Sequence, residues 1–138
     1  MTESPMNDER QVAGHALILQ TFLLTGTGPV GSVIICDDRG SAVDGLVGVL
    51  QHLPGSPQIA VVSHGFALVR SYAVRPADVV LVGIHRETTA GSEAVTMLTR
   101  SHPDAVVIVF GASTDIELLA DAFVRGARGL LLWDPDSD

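Results

Sequence analysis

Short apolar runs recur along this chain at regular intervals, and amphipathic stretches fill the spaces between them. Ser32-Val33-Ile34-Ile35-Cys36 is one such run, and the others lie at 59–62, 78–84, 105–110 and 129–133. They are rich in Val, Ile and Leu. Near-continuous apolar runs of this length are the pattern of parallel strands covered on both faces.

Between the runs, apolar residues return every three or four positions, the period of a helix face. Val43, Leu46, Leu50 and Leu53 share one face; Phe66, Leu68, Val69 and Tyr72 share another; Ala94, Val95 and Leu98 form a third. In the segment 114–125 the face is Ile116, Leu119, Ala120 and Phe123, and Gly126 follows as a helix stop. Five strands alternating with four helices predict an α/β domain over 32–134, doubly wound around a parallel sheet by right-handed crossovers. An earlier stripe, Val12, Ala16, Leu19 and Leu23, predicts an additional helix at about 12–24 within an N-terminal extension, 1–31. Gly26-Thr27-Gly28-Pro29 ends it as a linker, and 135–138 is a short polar tail.

Composition narrows the function. A chain of 138 residues, 46% hydrophobic, forms one domain with a real core. Its net charge of −8 argues against direct nucleic-acid contact, which depends on Lys and Arg neutralising phosphates. All eight basic residues are arginines, so no lysine-dependent mechanism is available. The single cysteine, Cys36, excludes an intrachain disulfide and reads as a small core residue, in keeping with a cytoplasmic protein. The stretch from Val12 to Leu24 is interrupted by His15 and Gln20 and has no small-residue cleavage site after it, so a signal peptide is not expected there. It is also too short and polar to span a membrane.

In parallel α/β sheets the ligand site lies at the carboxyl ends of the strands. Here those ends carry Asp37, Asp38, Ser63, His64, Gly83 to Glu87, Gly111 to Ser113, and Trp133 with Asp134. Asp37 and Asp38 are adjacent acids that repel each other, so a cationic partner is expected, and Arg86 is the candidate. A solvated pair, an arginine-paired structural role and ligand contact remain open for them. His64, His85 and Glu87 share the same rim and with the aspartates resemble a transition-metal ligand set, but no spacing among them fixes a coordination geometry. Ser63-His64 and Ser113 lack a nucleophile elbow and read as turn residues. No cofactor is expected.

Several stretches together resemble a response-regulator receiver domain, of the type that precedes NarL/LuxR-like output domains. Val33-Ile34-Ile35-Cys36-Asp37-Asp38 resembles the first strand with its acid pair, and Arg75-Pro76-Ala77-Asp78-Val79-Val80-Leu81-Val82 resembles the third. His102-Pro103-Asp104-Ala105-Val106-Val107-Ile108-Val109 resembles the fourth, and Gly126-Ala127-Arg128-Gly129-Leu130-Leu131-Leu132 the fifth. The resemblance implies a flavodoxin-like (CheY-like) fold with strand order 2-1-3-4-5. It implies a phosphoacceptor aspartate at Gly83, a Ser or Thr at Gly111 and a lysine at Trp133, and this chain departs at all three. Glycine cannot form an acyl phosphate, and without a third carboxylate Asp37 and Asp38 would bind Mg²⁺ weakly at most.

What the resemblance implies for function is an atypical, non-phosphorylatable receiver, a regulatory and dimerisation module of a cytoplasmic two-component transcription regulator. Its DNA-binding output domain would lie outside this chain. The partner would be a second copy or another response regulator, met through Ile116, Leu119, Phe123, Leu131 and Trp133. The family's fifth helix is not evident after Asp134. A boundary before it, helix 12–24 in its place, and a partner chain or exchanged helix over the vacant face all remain open. The alternatives are a sensor whose acidic pocket binds a small metabolite and, less well supported, a small metal-dependent enzyme. A membrane partner is not expected.

Overall fold

Val and Ile are stiff at χ1 and pack well on a pleated surface, which favours strands where they cluster. The structure, a computed structural model, describes residues 30–133, with Trp133 described by its backbone alone. All five apolar runs are strands: β1 (Ser32–Cys36), β2 (Gln58–Val62), β3 (Val79–Gly83), β4 (Val107–Ala112) and β5 (Gly129–Trp133). They form one parallel sheet in the order β2-β1-β3-β4-β5, as expected. The helices between them are α1 (Gly40–Leu50), α2 (Gly65–Val74), α3 (Ala90–Ser101) and α4 (Ile116–Val124), the last entered through a 3₁₀ turn at Ser113–Asp115.

Successive side chains on a strand point to opposite faces, so each run feeds two cores. Val33, Ile35, Val79, Leu81 and Ile108 face α1, where they pack with Val43 and Leu50. Ile34, Cys36, Val80, Val82, Val107 and Val109 face the other way. There they meet Leu68 and Tyr72 of α2, Ala94, Val95 and Leu98 of α3, and Leu119 and Ala122 of α4. At the amino-terminal end of the sheet Asp78 holds β1 beside β3. Its Oδ2 accepts from the Gly31 and Ser32 amides at 2.8 and 3.2 Å, and its own amide donates to Ser32 Oγ at 3.1 Å.

The helix ends follow local chemistry. His64 caps α2, its Nδ1 accepting from the Ala67 amide at 3.3 Å. The Thr88 hydroxyl accepts from the Ala90 amide at 3.1 Å, starting α3 ahead of its apolar face. Gly126 closes α4 with φ at +121°, where a side chain would be strained, and a Cβ there would also crowd Thr99.

Two expectations are corrected. β2 is an edge strand bonded to β1 alone among the described strands, and Val61 is 49% exposed rather than covered. Phe66, assigned to the inner face of α2, is 72% exposed, because the inward positions of that helix are Gly65, Leu68 and Tyr72. The expected helix at 12–24 and the tail 135–138 lie outside the described residues. Among the described helices none is long and apolar enough to cross a membrane.

Leu98 is fully buried, so Leu98→Ala will lower unfolding free energy by ~2–5 kcal/mol in urea titration, from lost burial plus the cavity left behind. Phe66→Ala, by contrast, will stay within about 0.5 kcal/mol of the parent.

Candidate functional site

Strand β1 ends at Cys36 and delivers Asp37 into the sheet's carboxyl-terminal rim, where its side chain is 1% exposed. A carboxylate that dry needs a cation and hydrogen bonds. Arg39, the N-cap residue of α1, supplies both. Its amide and Nε donate to Asp37 Oδ1 at 2.9 and 3.1 Å, and its Nη2 donates to Oδ2 at 2.7 Å. Each carboxylate oxygen is thus engaged by the same residue.

Gly83, the last residue of β3, lies directly against that pair. A Cβ built there would collide with Asp37 Oδ2 and stand 2.6 Å from Asp37 Cγ and 3.0 Å from Arg39 Nη2. The space a side chain at Gly83 would enter is therefore taken by the Asp37–Arg39 ion pair. Gly91 in the first turn of α3 is packed as closely: a Cβ there would collide with the Gly83 carbonyl oxygen. At the end of β4, a Cβ on Gly111 would come within 2.7 Å of the Ile84 carbonyl oxygen and 3.2 Å of Leu119 Cδ1. Side chains thus occupy the ground beside Gly83, and backbone together with Leu119 occupies it beside Gly111.

Asp38 points outward, with 53% of its side chain exposed, and His85 Nε2 lies 3.5 Å from its Oδ1. The His85 Nδ1 is buried without a hydrogen-bond partner among the described residues. Among the described residues, Asp37, Asp38 and His85 are the group that could hold a metal: their ligand atoms all lie within 4.8 Å of one another. They fit magnesium poorly, because Asp37 is already spent on Arg39 and Mg²⁺ requires near-octahedral oxygen coordination. The cleft they line with Ser63, Thr88, Ala90 and Gly91 has a volume of about 10 Å³, room for roughly one water.

The structure brings together only some of the candidate residues. Asp37, Asp38, Gly83 and His85 meet, as the sequence order implied. His64 is turned to capping α2, and Glu87 is exposed on the loop outside the cluster. Arg86 does not reach the acid pair; it bonds Asp115 Oδ1 through Nε at 2.6 Å and the Thr114 carbonyl through Nη2 at 2.7 Å. The cation at Asp37 is Arg39, which sequence reasoning passed over. Its signal was present: an arginine two residues beyond a strand-terminal aspartate can fold back onto it. The side chain of Trp133 lies outside the described residues.

Burial, reinforced by the negative charges of Asp37 and Asp38, pushes the Cys36 thiol up from 9.0 to about 12. The thiol stays protonated and inert at neutral pH.

Residues 33–135 match the family model described as the response regulator receiver domain. The chain belongs to that family. This receiver is 30% identical over 106 residues to the transcriptional regulatory protein LnrK of Bacillus subtilis (strain 168), covering 77% of this chain and 48% of that protein. It thus spans about half the length of the curated relative it matches. Among solved structures, the two-component response regulator of the LuxR family from Aurantimonas sp. SI85-9A1 is 20% identical with a TM-score of 0.65, covering 78% of this chain and 77% of that one. The receiver domain of NtrX from Brucella abortus is 17% identical with a TM-score of 0.63, covering 77% and 88% respectively. These similarities carry the fold; the chemistry of this receiver has to be read from its own strand ends.

Arg39→Ala leaves a buried carboxylate without its cation and will cost roughly 3 kcal/mol in urea titration, whereas Arg100→Ala on the exposed side of α3 will cost ~0.5 kcal/mol or less. Because the Cys36 thiol titrates higher in the folded chain, it contributes stability that is complete below pH 9.0 and lost as pH rises towards about 12. At pH 8 a thiol reagent will label Cys36 only when the fold opens, so at reagent concentrations high enough to outpace refolding the labelling rate will plateau at the unfolding rate.

Proposed function

We propose that this receiver is the regulatory and dimerisation part of a transcription regulator, and that it works by association rather than by aspartyl phosphorylation. The observation that supports this best is Gly83 at the end of β3, with its side-chain space filled by the Asp37–Arg39 pair. A glycine offers no carboxylate to form an acyl phosphate. Gly111 offers no hydroxyl, and the chain holds no lysine to pair with a phosphoryl group.

Association needs an apolar surface, and α4 carries one. Ile116 and Phe123 are 44% and 43% exposed, Val124 is 86% exposed, and Ala120 lies exposed between them. Beside this helix, β5 bonds to β4 alone among the described strands, leaving an edge. Two residues of the expected contact surface are unavailable: Leu119 is fully buried on the inner face of α4, and Leu131 is 4% exposed within the core on the α1 side. The surface is therefore Ile116, Ala120, Phe123 and Val124, facing a second copy or another response regulator. A metabolite-sensing pocket gains no support from a cleft with room for about one water.

Sedimentation across a concentration series will show a monomer–dimer equilibrium, and Phe123→Asp will shift it to monomer. A parent protein monomeric at every concentration, alone and with candidate regulators, would sink the association reading. Incubation with acetyl phosphate and Mg²⁺ will add no phosphoryl mass; a stoichiometric adduct would overturn the other half.

A further inference from the structure

Arg86 is more than half exposed, yet it makes the two short contacts that join the loop after β3 to the turn before α4. Asp115, its partner, is the N-cap residue of α4 and is 8% exposed. An aspartate at an N-cap ordinarily turns its carboxylate onto the first amides of the helix. Asp115 makes no such bond, and its carboxylate accepts from Arg86 Nε at 2.6 Å instead. The second contact, Arg86 Nη2 to the Thr114 carbonyl at 2.7 Å, fixes the backbone of the same turn. A planar guanidinium bound at two points sets orientation as well as distance.

The far end of α4 is held comparably. Arg125 Nη1 donates to Thr96 Oγ1 at 2.7 Å, and the Thr99 hydroxyl donates to the Arg125 carbonyl at 2.8 Å, tying that end to α3. Leu119 and Ala122 anchor the middle in the core. Among the described residues, the side chain that ties the Ser113–Asp115 turn to the loop after β3 is Arg86.

We infer that Arg86 is a positioning residue, a permanent tether that locks the Ser113–Asp115 turn and so sets where α4 begins and how its outer apolar face is presented. The tether joins the ends of β3 and β4, adjacent strands whose Gly83 and Gly111 have no side chains to link them. It goes beyond the proposed association, because it concerns the fixed shape of a single chain.

Amide hydrogen exchange on the full chain, at a concentration where it is monomeric, tests this directly. The Leu119 and Ala120 amides are the first in α4 with an acceptor inside the helix, so they report its first turn. Losing two charge-assisted hydrogen bonds in Arg86→Ala will raise their exchange by about tenfold or more, with β1 and β3 amides unchanged. Arg86→Ala combined with Asp115→Asn removes the unpaired buried charge and will remain fast, because the tether is still missing. Arg86→Lys, which keeps charge but not the fork, will fall between. Parent-like exchange in Arg86→Ala would overturn the tether. So would recovery of parent-like exchange in the double variant, which would trace the effect to an unpaired charge. Neither result bears on whether α4 is an association surface, which sedimentation decides separately.

Discussion

The buried Asp37 carboxylate and its arginine are the constraint around which the rim of this receiver is built. With its side chain 1% exposed, Asp37 is tolerable only because Arg39 returns to it with three donors. The pair sits over the end of β3, and the backbone there comes close enough that a Cβ at Gly83 would strike the carboxylate. Gly91 then packs on the Gly83 carbonyl, and Gly111 on that of Ile84. Gly83, Gly91 and Gly111, on three elements, all lie where a Cβ would meet a close neighbour, and the rim around them is filled with side-chain ions and backbone.

A filled rim moves the interest of the molecule outward. Arg86, released from any role at the acids, spans to Asp115 and Thr114, and the turn it fixes carries the start of α4. That helix is amphipathic in the usual sense inward, with Leu119 and Ala122 in the core. It is apolar outward as well, at Ile116, Phe123 and Val124, which is uncommon on a surface that meets only water. The loop after β3 thus borders the acid cluster through His85 and, through Arg86, contacts the turn that leads into α4.

How much was legible in the sequence varies residue by residue. The strand β1 was readable to its last residue, because a buried parallel strand must be apolar throughout and Asp37 marks its end. The glycines at 83 and 111 were readable as departures, since a missing carboxylate or hydroxyl is visible in one letter. Arg39 was not picked out in favour of Arg86, although both are arginines within reach of the rim. Choosing between them requires knowing that α1 begins at Gly40 and turns Arg39 back, while the loop after β3 turns Arg86 away. Leu119 and Leu131 looked like surface for a related reason: periodicity places a residue on a face but does not say which face is covered.

The sequence by itself determined the order of strands and helices, the parallel sheet and the residue types at the strand ends, because those depend on local pattern and on composition. Tertiary structure alone decided which arginine answers Asp37, that the place beside Gly83 is occupied, that β2 stands at an edge and which side of α4 meets solvent. Each of those rests on a contact between residues distant in sequence, or on the direction of a backbone a few residues away. The acid pair at the end of β1 marks the family in the sequence; what holds the buried acid is the arginine two residues on, through three hydrogen bonds that only the folded chain can make.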